Sequence, residues 1–187
     1  MNRTRRWLLA VPASLLGATA LQSNAAFAAS SAQINRDADR ALHALYAAQP
    51  KARKLGEQAK AILIFPKIIK VGLIIGGQGG DGVLRVGGQT DGFYNISAAS
   101  FGLQAGGQQF SYALFFMNDA ALQYLQKSDG WSIGSGPNVV VMDKGAAASM
   151  TSTTLSEDVY AIPFGQKGLM AGLGLEGSKI TRINPGP

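Results

Sequence analysis

No cysteine occurs anywhere in the 187 residues. Disulfides, thiolate metal sites and a lipidated N-terminal cysteine are therefore excluded. Histidine is nearly as scarce. His43 is the only one, so no second imidazole can complete a metal site, and none lies downstream of a serine nucleophile. Charge is sparse too, at 15% of residues against about 25% in an average globular chain. The run WLLAVPASLLGATAL, Trp7 to Leu21, is interrupted by Pro12 and Gly17. It falls short of the roughly 20 apolar residues that a membrane-spanning helix needs.

That run has a different meaning. Arg3, Arg5 and Arg6 precede it, and Ala26-Phe27-Ala28 follows it with small-residue cleavage spacing. Together they read as a signal peptide over residues 1–28. Thr4-Arg5-Arg6-Trp7-Leu8-Leu9 also has the pattern of a twin-arginine signal, while adjacent arginines occur in ordinary secretory signals, so both export routes stay open. The expected mature chain, 29–187, is one domain by length and is periplasmic or secreted. Its charge is +3, from 14 basic residues (17 less three signal arginines) and 11 acidic ones.

What the chain has in excess is glycine, 24 residues, well above the usual share of about 7%. From Ser30 to Gln49 the apolar positions Ile34, Ala38, Leu42 and Leu45 recur at helical spacing, with Ser30 or Ser31 as cap and Pro50 as stop. Lys51 to Lys60 forms a second short helix with Ala52, Leu55 and Ala59 inward. After Ala61 the period falls to two, and short strands are expected at Ala61–Phe65, Val71–Gly76, Gly82–Gly87, Gly92–Ser97, Phe101–Gly106, Gln109–Phe116, Asn138–Asp143, Val159–Phe164 and Leu169–Leu175. Asn118 to Lys127 interrupts them as a helix capped by Asn118. The fold class is α+β: N-terminal helices over residues 29–60 packed on a Gly-rich, curled antiparallel sheet, barrel- or sandwich-like, over 61–187. Glycines on one strand face, as in GLMAGLGLEG, let another backbone approach or ease a bend.

Two short motifs suggest chemistry that their context does not support. Gly77, Gly79 and Gly82 satisfy G-x-G-x-x-G, but a phosphate turn must feed into a helix, and Val83-Leu84-Arg85-Val86 reads as another strand. Gly76 to Gly82 is read instead as a hairpin turn at Asp81-Gly82. Gly130-Trp131-Ser132-Ile133-Gly134 spells G-x-S-x-G, yet a helix precedes it and a strand follows, the reverse of a nucleophile elbow. A turn with Trp131 packed on the core is the expected alternative. Asp81, Asp91, Asp129, Asp143, Glu157 and Asp158 are scattered over expected turns without calcium-loop or glycosidase spacing. No cofactor, metal site or catalytic residue is assigned.

Charge placement says more. Lys51, Arg53, Lys54, Lys60, Lys67 and Lys70 stand against Glu57 alone in a twenty-residue window of charge +5. Beside Ile62, Ile64, Phe65, Ile68 and Ile69, this is the combination that favours an anionic membrane surface, with a plain solvated helix face as the competing reading. Interleaved aromatics are missing, and with export expected, nucleic acid does not fit.

The blocks AKAILIFPKIIKVGLIIGGQGGDGVL, DGFYNISAASFGLQAGGQQFSYALFFM, WSIGSGPNVVV and YAIPFGQKGLMAGLGLEGSKITRIN, in that order from about Lys54 to Asn184, resemble the SYLF lipid-binding domain family in its exported bacterial branch. The resemblance implies a noncatalytic domain that binds anionic lipids, phosphoinositides in eukaryotic members, some of which also bind actin. Eukaryotic members use a basic amphipathic N-terminal segment at the membrane, and Lys51 to Lys60 holds the corresponding position here. With export to a bacterial periplasm expected, actin and phosphoinositides are not the expected ligands, and phosphatidylglycerol, cardiolipin or other anionic amphiphiles are. The rival readings are a structural or protein-interaction module of the cell envelope and a small hydrolase using Ser132. If residues 1–28 are a cleaved signal, N-terminal sequencing of the exported protein returns Ala29 first; an intact Met1 in the membrane fraction contradicts the assignment.

Overall fold

The computed structural model describes residues 29–72, 75–101, 106–142, 155–168, 175 and 177–187. The expected signal segment, the strand expected at Phe101–Gly106 apart from its two end residues, the strand expected at Leu169–Leu175 apart from Leu175, and Asp143 lie outside them. The helices are α1 (Ser31–Ala48), α2 (Pro50–Gln58) and α3 (Asp119–Lys127). The strands are β1 (Ala61–Gly72), β2 (Ile75–Val86), β3 (Gln89–Phe101), β4 (Gly106–Phe116), β5 (Trp131–Ser132), β6 (Val139–Val141), β7 (Val159–Gly168) and β8 (Lys179–Ile183).

The helices form where capping and periodicity agree. The Ser30 hydroxyl accepts from the Gln33 N–H, and Ile34, Ala38 and Leu45 form the buried stripe of α1. Pro50 sits in the first turn of α2, where its missing N–H costs nothing. The Asn118 side chain accepts from the Ala121 N–H at 2.8 Å to start α3. Asp158 accepts from the Asn138 N–H at 2.9 Å and from Asn118 Nδ2 at 2.7 Å. Those two bonds hold its carboxyl below the ordinary aspartate range and tie α3, β6 and β7 together.

The eight strands form one α+β sheet in the order β5-β8-β3-β2-β1-β4-β7-β6. Every pair is antiparallel except the edge pair β6–β7, which is parallel, so the sheet is mixed rather than wholly antiparallel. It curls strongly. Val159 and Ala161 of β7, on one side of the order, share a core cluster with Ile180 of β8 and Trp131 of β5 on the other. That inner cluster also takes Leu63, Phe65, Tyr112, Leu114 and the α3 residues Ala121 and Leu125. On the outer face, α1 and α2 cover Ile64 and Val83, then Ala113, Phe115 and Ile162. Strand β1 therefore begins as the continuous apolar run AILIF because it is buried on both faces. The edge strands β5 and β6 are joined by residues 133–138 alone.

Pro66 lies in the middle of β1, a central strand, where a missing N–H would break the ladder. A bulge resolves the conflict. Between the pairs Ile64↔Val83 and Ile69↔Gly79, β1 runs through four residues where β2 runs through three. Between Phe65↔Tyr112 and Ile68↔Phe110 it has two residues to one on β4. The Pro66 carbonyl accepts from Ser111 Oγ at 2.7 Å. The extra residue also reverses the alternation: Leu63 and Phe65 point inward before the bulge, and Ile68 does after it.

The glycines of β2 correct the hairpin expected at Asp81-Gly82. Asp81 pairs with Asn95 and Gly82 with Tyr94 in mid-strand. The turn comes later, at Gly87-Gly88, both at positive φ (56° and 80°) as a two-residue hairpin requires. Gly82 is needed because β1 presses against it: a Cβ there would lie 2.4 Å from the Ile64 carbonyl oxygen and 2.5 Å from Phe65 Cδ1. At Gly77 the nearest atom would be the Ala98 oxygen at 3.6 Å, an ordinary contact. Gly82→Ala should thus cost about 1–3 kcal/mol, the usual range for overpacking. Gly77→Ala should stay within about 0.5 kcal/mol of the parent. Thermal unfolding of the two variants checks this, and equal midpoints would contradict the packing.

Candidate lipid-binding surface

The six basic residues singled out in the sequence do not form one patch. Lys51, Arg53 and Lys54 are exposed on α2, opposite the buried Ala52 and Leu55. The Arg53 guanidinium stands 5.4 Å from the centre of the Tyr46 ring, which steadies its position on the helix. Burial raises the pKa of the Tyr46 hydroxyl, opposed by Arg53 and assisted by Glu57. Gly56 makes room for that ring, since a Cβ there would meet the Tyr46 hydroxyl oxygen at 2.1 Å.

Lys60, just before β1, lies 3.9 Å from Asp119 at the start of α3. An exposed pair of this kind contributes little. Lys67 is exposed within the bulge, and Lys70 lies beyond it, partly buried. Neither Lys51 nor Lys70 is without a partner. Ten residues of strand separate Lys60 from Lys70, about 33 Å at the usual rise. The arrangement is a basic helix edge at one place and strand lysines at another.

Lys70 faces the inside of the curl, paired with Gln78 and Gln108 on the flanking strands. Gln78 donates to Ser178 Oγ at 3.1 Å, and Ser178 is fully buried. This polar layer caps the apolar interior around Phe65 and Phe110. Ile69, Val71 and Ile75, by contrast, are exposed. The sequence placed Ile69 beside the basic cluster but gave no sign that it would face outward.

A cleft of about 350 Å³ lies between the helices and the start of the β1–β2 pair, lined in part by Asp39, Leu42, Glu57, Lys60, Ile62 and Arg85. Arg85 donates to Asp39 at 2.6 Å, so the charges there largely compensate one another.

Ser132, His43 and Asp81 stand on different elements, β5, α1 and β2. Ser132 is exposed in the two-residue β5, while Trp131 is buried and donates its indole N–H to the Ser135 carbonyl at 2.8 Å. A turn follows instead of a helix, with Gly134 at φ 104°. His43 is exposed on α1. Asp81 accepts from Asn95 Nδ2 at 2.7 Å within the sheet. Among the described residues no cluster of three or more His, Asp or Glu side chains could hold a metal, and no helix is long and apolar enough to cross a membrane.

Residues 97–184 match the family Ysc84, described as Las17-binding protein actin regulator. The match begins within β3 and ends just after β8, so it excludes α1, α2, β1, β2 and all six basic residues. No curated protein matches the chain. Given their exposure, Ser132→Ala and His43→Ala should each leave the unfolding free energy within about 0.5 kcal/mol of the parent. An esterase activity in the parent that disappears with Ser132→Ala would give the G-x-S-x-G segment a role that its turn geometry does not provide.

Proposed function

We propose that the chain is an exported, noncatalytic module that binds anionic phospholipid surfaces, a reading supported by the match of residues 97–184 to the family Ysc84 and by the resemblance of its sequence blocks to SYLF lipid-binding domains. The exposed basic edge of α2 carries the proposal on this chain's own residues: Lys51, Arg53 and Lys54 project from a helix anchored by Ala52 and Leu55. Lys60, Lys67 and Lys70 add positive charge along β1. Signal-like residues 1–28 support a periplasmic or secreted location with peripheral membrane association, where phosphatidylglycerol and cardiolipin are the fitting headgroups and actin is not.

A second reading, an envelope protein-interaction module, draws on β6. Its three valines pair with β7 alone among the described strands, and Val141 is 40% exposed. Such an edge can accept a partner strand.

Co-sedimentation of the exported protein with phosphatidylcholine vesicles, with and without phosphatidylglycerol, separates the two readings. Lipid binding should require the anionic component and weaken with salt, because the Debye length is about 8 Å at physiological ionic strength. Replacing Lys51, Arg53 and Lys54 with Gln should cost about 3 kcal/mol, at about 1 per residue near the surface. That is more than a hundredfold in partition. Undiminished binding by the triple variant at low and physiological salt would reduce the α2 edge to a solvated face.

A further inference from the structure

We propose that the end of the sheet beyond the Pro66 bulge is a second contact with lipid, one that seats Ile69, Val71 and Ile75 in the outer few ångströms of an anionic bilayer. The inference rests on the lipid-binding reading and deepens it. It concerns a surface different from the α2 edge and a different force, apolar burial.

These three residues are 43%, 53% and 69% exposed, and they are the most exposed large aliphatic side chains of β1 and β2 among the described residues. Register puts them on one face. Ile69 pairs with Gly79 and Val71 with Gly77, and Ile75 lies two residues before Gly77. Because directly paired residues share a face and alternate residues return to it, all three point to the outer side of the sheet.

Among the described residues, α1 and α2 cover the outer face before the bulge and leave Ile69, Val71 and Ile75 exposed beyond it. Among the neighbouring outer-face positions are Gly77, Gly79 and Gly107, the last paired with Val71 on β4, beside Gln109, paired with Ile69. Added Cβ atoms at Gly77 and Gly79 would meet only backbone carbonyl oxygens at 3.6 Å, and at Gly107 nothing closer than 3.9 Å. The aliphatic side chains therefore stand on a low glycine floor that a flat partner can approach.

The charge around this floor selects the partner. Segments 66–80, 97–109 and 165–168 contain Lys67, Lys70 and Lys167 and no acidic residue, and Asp81, on the outer face two residues past Gly79, already accepts a hydrogen bond from Asn95 Nδ2. Lys167 is exposed and pairs with Gln109, which in turn pairs with Ile69, so it shares the outer face two strands away. Two strand spacings place it about 10 Å from Ile69. Lys67 is exposed in the bulge itself. Aliphatic residues that enter the acyl boundary, with cations at headgroup distance, complement a bilayer bearing negative lipids.

The absence of cysteine makes the test direct. In the full exported protein, Ile75→Cys carrying an environment-sensitive fluorophore should report an apolar environment when vesicles containing phosphatidylglycerol are added, and brominated acyl chains should quench it. Replacing Ile69, Val71 and Ile75 together with Ser should lower partition into the same vesicles by roughly a hundredfold, from the apolar area then left unburied. Far-UV circular dichroism and the melting temperature of each variant verify its fold, and the single labelled substitution is decisive if the triple variant does not fold. A parent that binds while the label stays in water and the Ser variant binds equally overturns this inference and leaves lipid binding to α2. A parent that binds no vesicle overturns the lipid-binding reading and this inference with it. A label that is already shielded without vesicles, more so as protein concentration rises, assigns the face to a second copy of the chain and also overturns it.

Discussion

The structure turns on the conflict between Pro66 and the strand that contains it. A central strand has hydrogen bonds to make on both sides, and proline lacks the donor. The bulge relieves this by inserting one residue, and the hydroxyl of Ser111 satisfies the Pro66 carbonyl. Three consequences follow from that single insertion. The face assignment of β1 reverses, sending Lys70 inward and Ile69 outward. The displaced backbone moves against β2, where only glycine fits at position 82. Among the described residues, the outer face then divides into a part covered by α1 and α2 and a part where Ile69, Val71 and Ile75 are exposed.

The two halves contribute differently. Before the bulge, burial on both faces supplies stability, with the inner cluster around Phe65 and Tyr112 and the helical layer around Phe115 and Ile162. After it, the outer face carries glycine and exposed aliphatics, with little apolar burial on that side among the described residues. Even there the inner face stays in the core, through Ile68 and Phe110.

The helices were legible in the sequence because their signals are local. Ser30, Asn118 and Pro50 mark ends within a few residues, and the apolar spacing fixes the inward face. The α+β class and the curl were legible from the change of period at Ala61 and the excess of glycine. The bulge was not: Pro66 reads as the end of a strand, and the partner that accommodates it, Ser111, lies 45 residues away. Gly82 misleads for the same reason, since Asp-Gly is a turn signal by local rules and becomes a strand pair only through Tyr94 and the approach of Phe65. The basic cluster was legible as composition but not as geometry, because residues contiguous in sequence are spread out by an extended strand. Ile69 and Val71 were visible as apolar residues, while their orientation depended on the bulge.

The short connection between the sheet's two edges has a mechanical meaning. Laid flat, eight strands would hold β5 and β6 about 34 Å apart, seven spacings of about 4.8 Å. The chain from Ser132 to Val139 can extend only about 25 Å. Residues 133–138 therefore act as a tether across the mouth of the curl, and the sheet cannot flatten while both edge strands stay paired. Strain applied to the sheet must first release an edge, and β5, held to β8 by only two residue pairs, is the one that gives way.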